Sequence, residues 1–184
     1  RNLSDGNFKR KKCIILSRTF KTIKMKLIEY PYIFHKIAKD ISKDRTAGMH
    51  KNYKDKDYYV GDKTKQYNIQ GVLSELIAWD YFTRNEIKFE ALSMFGTEPE
   101  VEADLIAEGR KIDVKYIPPY AKYLMVNYNS HNNIYKDVSE YMFIQPIEKI
   151  EFGKATARIW FVKHNEVDLW NIDTHNTKVY CKKL

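Results

Sequence analysis

Residues 101–117 read VEADLIAEGRKIDVKYI, and this stretch predicts a β-hairpin. Apolar and polar residues alternate along both halves, which is typical of strands with one buried side. Gly109 supplies the backbone freedom of a tight turn, so we expect a two-residue loop, either Glu108-Gly109 or Gly109-Arg110. A loop with an even number of residues keeps the side-chain alternation of the two strands in phase.

Three charged residues share one side of this hairpin. In the first register Asp104 lies directly opposite Asp113, and in the second it faces Lys115, but both registers put all three side chains on one side. The other side collects apolar residues suited to a core: Ala103, Leu105, Ala107, Ile112, Val114 and Tyr116. The stretch therefore predicts a sheet that is packed on one side and charged on the other.

The charged side has the composition of a metal site. Two carboxylates at cross-strand distance repel each other, and such a pair destabilises a sheet unless a positive charge lies between them. Because Mg²⁺ prefers oxygen ligands, Asp104 and Asp113 are candidate ligands. Lys115 is placed to contact a scissile phosphate or to orient a metal-bound water. The alternative is an exposed hairpin whose charges form surface ion pairs.

A helix is predicted from Asn68, a good N-cap, to Asn85, which tolerates the left-handed conformation at a helix end. Glu75 lies on an arc of this helix together with large apolar residues, namely Val72, Ala78, Trp79 and Phe82. A carboxylate in such surroundings is costly unless it is paired or bound to a metal. Glu75 is therefore a candidate third carboxylate, and the alternative is that it snorkels to solvent or meets an arginine.

The order of these motifs resembles the PD-(D/E)xK nuclease superfamily. A glutamate in a first core helix (GVLSELIAWDYF, 71–82) is followed by a strand and then by D-x8-D-x-K across a hairpin (EADLIAEGRKIDVKY, 102–116). The resemblance covers roughly residues 68–147. Ala103 stands where the motif has proline, and the D/E position is Asp; neither departure removes a ligand.

The resemblance implies a metal-dependent endonuclease with a restriction-endonuclease-like core. Glu75, Asp104, Asp113 and Lys115 would be catalytic, with Lys115 as the catalytic lysine. Mg²⁺, for which Mn²⁺ would substitute, would be held by Asp104, Asp113, Glu75 and the Val114 carbonyl. The hairpin is similar to those of restriction endonucleases and archaeal Holliday-junction resolvases.

The histidines are a further group of potential metal ligands. The cap-snatching endonucleases of segmented RNA viruses share the core and add an upstream metal-binding histidine, for which His50 is the candidate, although it falls in a predicted linker. The remaining histidines show no ligand spacing and are interpreted as surface or structural residues: His35, His131, His164 and His175.

The rest of the chain completes an α+β fold (an α/β-like sandwich) with a central mixed β-sheet flanked by helices. Residues 13–41 predict two short amphipathic helices broken at Tyr30-Pro31, and residues 42–66 predict a linker. Further strands are predicted at 87–94, 122–128, 141–147, 157–163, 167–172 and 178–182. We therefore expect a basic, mainly helical N-terminal extension over 1–66 and a nuclease-like core over 67–184.

The charge distribution indicates a polyanionic partner. Residues 1–66 carry 18 Lys and Arg against 7 Asp and Glu, a net +11, whereas the remaining residues carry 14 against 17. A basic segment beside an acidic body favours nucleic acid as the partner, although lysines can also merely solvate a segment. The resemblance to restriction endonucleases and Holliday-junction resolvases implies DNA more than RNA. The residues expected to contact nucleic acid are Lys9, Arg10, Lys11, Lys12, Asn127 and Ser130.

Composition excludes other classes of protein. No apolar run is long enough for a transmembrane helix or a signal peptide. Cys13 and Cys181 match no metal or redox spacing, and two isolated cysteines favour a reducing, cytoplasmic setting. Three functions stay open: a DNA nuclease, an RNA nuclease with the same chemistry, and an inactive nucleic-acid-binding module. Nucleases that cut both strands are often two-fold dimers, so a homodimer is one expected assembly.

Overall fold

The computed structural model describes residues 23–52, 62–92, 103–174 and 177–184. Within these residues the helices are α1 (Phe34–Asn52), α2 (Asp62–Arg84), α3 (Tyr128–His131) and α4 (His164–Val167). The strands are β1 (Met25–Pro31), β2 (Phe89–Ala91), β3 (Leu105–Ala107), β4 (Arg110–Tyr116), β5 (Tyr123–Asn127), β6 (Glu140–Glu151), β7 (Lys154–Lys163), β8 (Asn171–Asp173) and β9 (Val179–Lys183).

The strands form two sheets. The larger sheet has the order β1-β7-β6-β4-β3-β2, in which β4 and β6 are parallel and the other neighbours antiparallel. The smaller sheet has the order β5-β9-β8. The predicted α+β class with a mixed central sheet and flanking helices is confirmed at this level.

A hydrophobic core lies on each face of the larger sheet. Strand β6 supplies both cores because its side chains alternate: Met142 and Ile144 join the core under α1 and α2, while Tyr141 and Phe143 join the core shared with β5 and β9. The site-bearing strand β4 pairs with β6 and β3, so it lies inside the sheet and not at an edge.

The hairpin β3–β4 has a two-residue turn, Glu108-Gly109. Both residues have positive φ, 50° and 75°, as a type I′ turn requires. The prediction of an even loop is confirmed, in the first of the two registers, and the pairing continues from the turn without a bulge. Asp104, one residue before β3, therefore comes opposite Asp113.

The charged side of β4 is covered in the structure, so the alternative of an exposed hairpin with surface ion pairs does not hold for Asp113. Asp113 is 2% exposed, because the core shared with the smaller sheet covers its side of β4. Ala103 also packs in that core. Alternation predicts it on the same side as Leu105, but Ala103 precedes the strand and does not follow its alternation. A second covering sheet cannot be deduced from the alternation within one hairpin.

The prediction of a helix before Pro31 is wrong. Residues 25–31 form β1, which pairs with β7 at the edge of the larger sheet. Tyr30 on this strand is buried beneath α1. Proline is tolerated there because an edge strand leaves one side of its backbone unpaired. Residues 13–22 lie outside the described part of the chain.

The predicted linker over 42–66 is also wrong where the structure describes it. Residues 42–52 continue α1, which places His50 in a helix, and α2 begins at Asp62, six residues before the predicted cap Asn68. The boundary expected after residue 66 thus falls inside α2. The polar sequence here has no apolar period, so periodicity does not detect these helix ends.

Other element bounds follow the sequence more closely. Helix α2 ends at Arg84, beside the predicted end at Asn85, but Glu86 and not Asn85 adopts the left-handed conformation, with φ 56°. Strands β5, β6, β7 and β9 match predicted strands, whereas the segment at 167–172 forms the end of α4 and most of β8. No helix in the described residues is long and apolar enough to cross a membrane.

Candidate active site

Three carboxylates converge where the pairing of β3 with β4 ends. Glu75 is buried on α2, which packs on the face of the sheet that carries Ile112 and Val114. Asp113 belongs to the opposite face, and Asp104 lies between them at the start of β3. The structure thus brings together the three carboxylates that the sequence singled out.

The main chain of Asp104 is held between two neighbours. Its N–H donates to the Ile112 carbonyl at 2.9 Å, and its own carbonyl accepts from the Leu92 N–H at 3.0 Å. Its carboxylate Oδ2 accepts from the Val114 N–H at 2.6 Å. Since the N–H of a β4 residue points within the plane of the sheet, the Asp104 carboxylate lies in that plane, beyond the end of β3.

The same geometry locates the Val114 carbonyl. The N–H and C=O of one strand residue point to the same side of the strand, so this carbonyl is on the Asp104 side of β4. Its predicted place beside the carboxylates is therefore consistent with the backbone.

Charge repulsion is concentrated on Asp104. Burial, and after it the carboxylates of Asp113 and Glu75, raise the pKa of Asp104 from its ordinary value to about 8, against the opposing effects of Lys115 and of the hydrogen bond from Val114. At neutral pH this carboxyl therefore tends to hold its proton. A positive charge beside it would remove that tendency.

Asp113 is compensated by two ammonium groups. Lys115 Nζ lies 2.6 Å from Oδ2, and Lys136 Nζ lies 3.2 Å from Oδ1. Burial opposes ionisation of Asp113, yet the two lysines hold its pKa below its ordinary value. Neighbouring aspartates thus have their pKa values shifted in opposite directions.

Sequence reasoning missed Lys136, which reaches the site from the segment between α3 and β6. Its side chain is only 6% exposed, against 31% for Lys115, and its Nζ also lies 3.5 Å from Ser130 Oγ. A single lysine in a polar loop carries no periodic signal, so only tertiary structure identifies it.

The predicted nucleic-acid contacts have local roles where they are described. The Asn127 side chain caps α3 by accepting the Ser130 N–H at 3.0 Å, and Ser130 contacts Lys136. These contacts place Ser130 next to the carboxylate site. The basic residues Lys9, Arg10, Lys11 and Lys12 lie outside the described residues.

Two of the histidines interpreted from the sequence as surface or structural residues contact each other in the structure. His131 is buried, and its ring stacks on that of His164 with 3.8 Å between centroids. Burial lowers the pKa of His131 despite its hydrogen bond to Asp168. His35 contacts the Tyr30 hydroxyl at 2.9 Å, and His175 lies outside the described residues.

Comparisons of this chain with protein-family models, with curated proteins and with solved structures found no match. A functional assignment for this chain therefore depends on the geometry and chemistry of its own residues.

Proposed function

We propose that this protein is a metal-dependent endonuclease that hydrolyses phosphodiester bonds of DNA with Mg²⁺. The observation that carries the proposal is the convergence of Glu75, Asp104 and Asp113 beside Lys115 at one end of a hairpin. The element order α2, β2, β3, β4 follows that of the PD-(D/E)xK resemblance and supports a restriction-endonuclease-like core.

The donor set suits a hard divalent cation. All side-chain ligands offered by Glu75, Asp104 and Asp113 are carboxylate oxygens, which Mg²⁺ and Mn²⁺ prefer, and the Val114 carbonyl would add another oxygen. The raised pKa of Asp104 comes first from burial and then from the carboxylates of Asp113 and Glu75, and a bound cation would favour its ionised form. When bound, the metal would supply an activated water and would stabilise charge on phosphate oxygens.

Lys115 and Lys136 would have different roles beside the metal. Lys115 is partly exposed, so its ammonium can leave Asp113 to contact a phosphate oxygen as charge develops there. Lys136 is almost fully buried and would keep Asp113 ionised, and hence ready as a ligand, while Lys115 is engaged. This division explains why a single aspartate has two ammonium partners.

The first experiment incubates the purified protein with supercoiled plasmid, single-stranded DNA and RNA in Mg²⁺, Mn²⁺ or EDTA. We expect metal-dependent cleavage of DNA by the wild type and by Asp137→Asn, a matched control because the Asp137 side chain is 77% exposed and pairs with the partly exposed Lys111. Cleavage of RNA alone would support the same catalytic site but assign RNA, and not DNA, as the substrate. Binding without cleavage under every condition would contradict the nuclease and indicate a binding module.

A further inference from the structure

A second cluster of metal-ligating side chains lies in the part of the chain that the structure describes. His131 ends α3, His164 begins α4, and Asp168 directly follows α4. One ligand atom of each lies within 4.8 Å of the others, and His131 Nε2 is 2.9 Å from Asp168 Oδ1. The cluster joins segments that are 33 residues apart in sequence.

The second nitrogen of each imidazole already has a partner. His131 Nδ1 is 2.9 Å from the Tyr141 hydroxyl, and His164 Nε2 is 3.2 Å from the His131 carbonyl. A carbonyl only accepts, so Nε2 of His164 carries a hydrogen and its Nδ1 has the free lone pair. Metal-binding histidines are usually oriented in this way by a bond from the other nitrogen.

The ligand chemistry differs from that of the carboxylate site. Two imidazoles and one carboxylate suit a zinc-class cation, whereas the oxygen donors around Asp104 suit Mg²⁺. Asp168 is 53% exposed, so an ion can reach the cluster from solvent. We propose that His131, His164 and Asp168 bind one zinc-class divalent cation, with a fourth position left for water or an external ligand.

Binding requires two adjustments. Asp168 accepts from His131 Nε2 in the structure, so this nitrogen must release its hydrogen when it binds the ion. The two rings are nearly parallel, with 12° between their planes, so their in-plane lone pairs do not meet at one point. His164 is less buried than His131, so its ring would be the one to tilt, out of its stacked arrangement with His131 and Tyr141. Once bound, the ion would fasten α3 to α4 and stabilise the folded chain in proportion to its occupancy.

The test measures ZnCl₂ binding to the full chain by calorimetry, with Co²⁺ absorption to report nitrogen and oxygen ligation. The wild type and Asp137→Asn, whose exposed carboxylate pairs with Lys111 and belongs to neither site, should bind one equivalent at this cluster with the same affinity. His164→Gln and Asp168→Asn should lose that equivalent, and Tyr141→Phe should weaken it by about tenfold to a hundredfold.

Two further readouts keep the outcome interpretable. Circular dichroism of each variant without metal checks the fold, and His164→Gln and Asp168→Asn act at side chains that are not fully buried. Zinc should raise the melting temperature of the wild type and leave that of His164→Gln unchanged. Equal zinc binding by the wild type and by both of these variants, or no binding by the wild type, would overturn the proposal.

Discussion

The carboxylate site and the histidine cluster differ in how the chain assembles them. Asp104 and Asp113 belong to one hairpin, whose two-residue turn sets them opposite each other through local structure. His131 and His164 come from segments 33 residues apart and meet only when α3 and α4 pack beside β6. Local sequence patterns can therefore predict a site within one hairpin, but they cannot predict a cluster assembled from distant segments.

The two regions also differ in how charge is balanced. Burial and the neighbouring carboxylates raise the pKa of Asp104 despite Lys115, whereas Lys115 and Lys136 together lower the pKa of Asp113. In the histidine cluster, burial disfavours a positive charge on His131. The two regions should therefore change the stability of the fold with pH in opposite directions.

The largest expected effect concerns cleavage. Asp113→Asn, Asp104→Asn and Lys115→Ala should each lower the rate by about a thousandfold, because each removes a metal ligand or a positive charge near the phosphate. Single-turnover cleavage in Mg²⁺ would measure this, with circular dichroism to check folding and Asp137→Asn as the exposed control. An Asp113→Asn enzyme as fast as the wild type would contradict the assignment.

The second prediction concerns stability against pH in EDTA. The folded-state pKa of Asp104, about 8, exceeds its ordinary value of 3.8, so only the unfolded chain loses this proton between those values and stability falls as pH rises. The pKa of His131 is lowered in the fold, so its contribution rises with pH through about 6.5.

Asp104→Asn should abolish the fall in stability with rising pH and leave the rise in stability that comes from His131. Relative to the wild type, we expect it to gain on the order of a few kcal/mol between pH 5 and pH 8. Urea unfolding at a series of pH values measures the difference. If the stability of the wild type and of Asp104→Asn changed with pH in the same way, the pKa of Asp104 would not be raised in the folded protein.

The third prediction concerns the lysine that sequence reasoning missed. Lys136→Met leaves Asp113 with one ammonium partner, which should cost about 1–3 kcal/mol of stability and move the acid limb of the cleavage profile to higher pH. Lys111→Met is the matched control, because Lys111 pairs with the exposed Asp137 and surface pairs contribute about 0–1 kcal/mol. Equal losses of stability in Lys136→Met and Lys111→Met would show that Lys136 stabilises the fold no more than a surface lysine does.

The smallest effect concerns the basic N-terminal segment. Deleting Arg1–Lys12 should weaken DNA binding and flatten its salt dependence, with the slope falling by roughly 0.9 for each phosphate that the segment neutralises. Cleavage at saturating DNA should change little, since the carboxylates lie elsewhere. Binding titrations from low to moderate salt, with and without the segment, measure the slope. An unchanged slope would mean that other residues bind the polyanion.

Much of the carboxylate site could be predicted from the sequence because its determinants are local. The sequence leaves two registers for the hairpin, one of which is the observed pairing that sets Asp104 opposite Asp113, and the apolar arc around Glu75 identifies a buried helix face. What stayed hidden depends on tertiary packing. The second sheet that buries Asp113 and the loop that delivers Lys136 carry no local pattern.

The same distinction explains the errors near the N-terminus. The sequence predicts helix where β1 forms, because Ile28 and Tyr30 gain their burial only by pairing beside β7 and packing under α1. It predicts a linker at the polar start of α2 because that segment has no apolar stripe. Local propensity is a weak guide where distant strands or helices supply the contacts.

The most direct test of the metal centre is Mn²⁺ binding followed by electron paramagnetic resonance, without nucleic acid. The wild type and His164→Gln should bind Mn²⁺ equally, whereas Asp104→Asn and Asp113→Asn should bind it far more weakly. That result would place the hard cation among the carboxylates of α2 and the β3–β4 hairpin. Undiminished Mn²⁺ binding by both Asp variants would contradict the central claim.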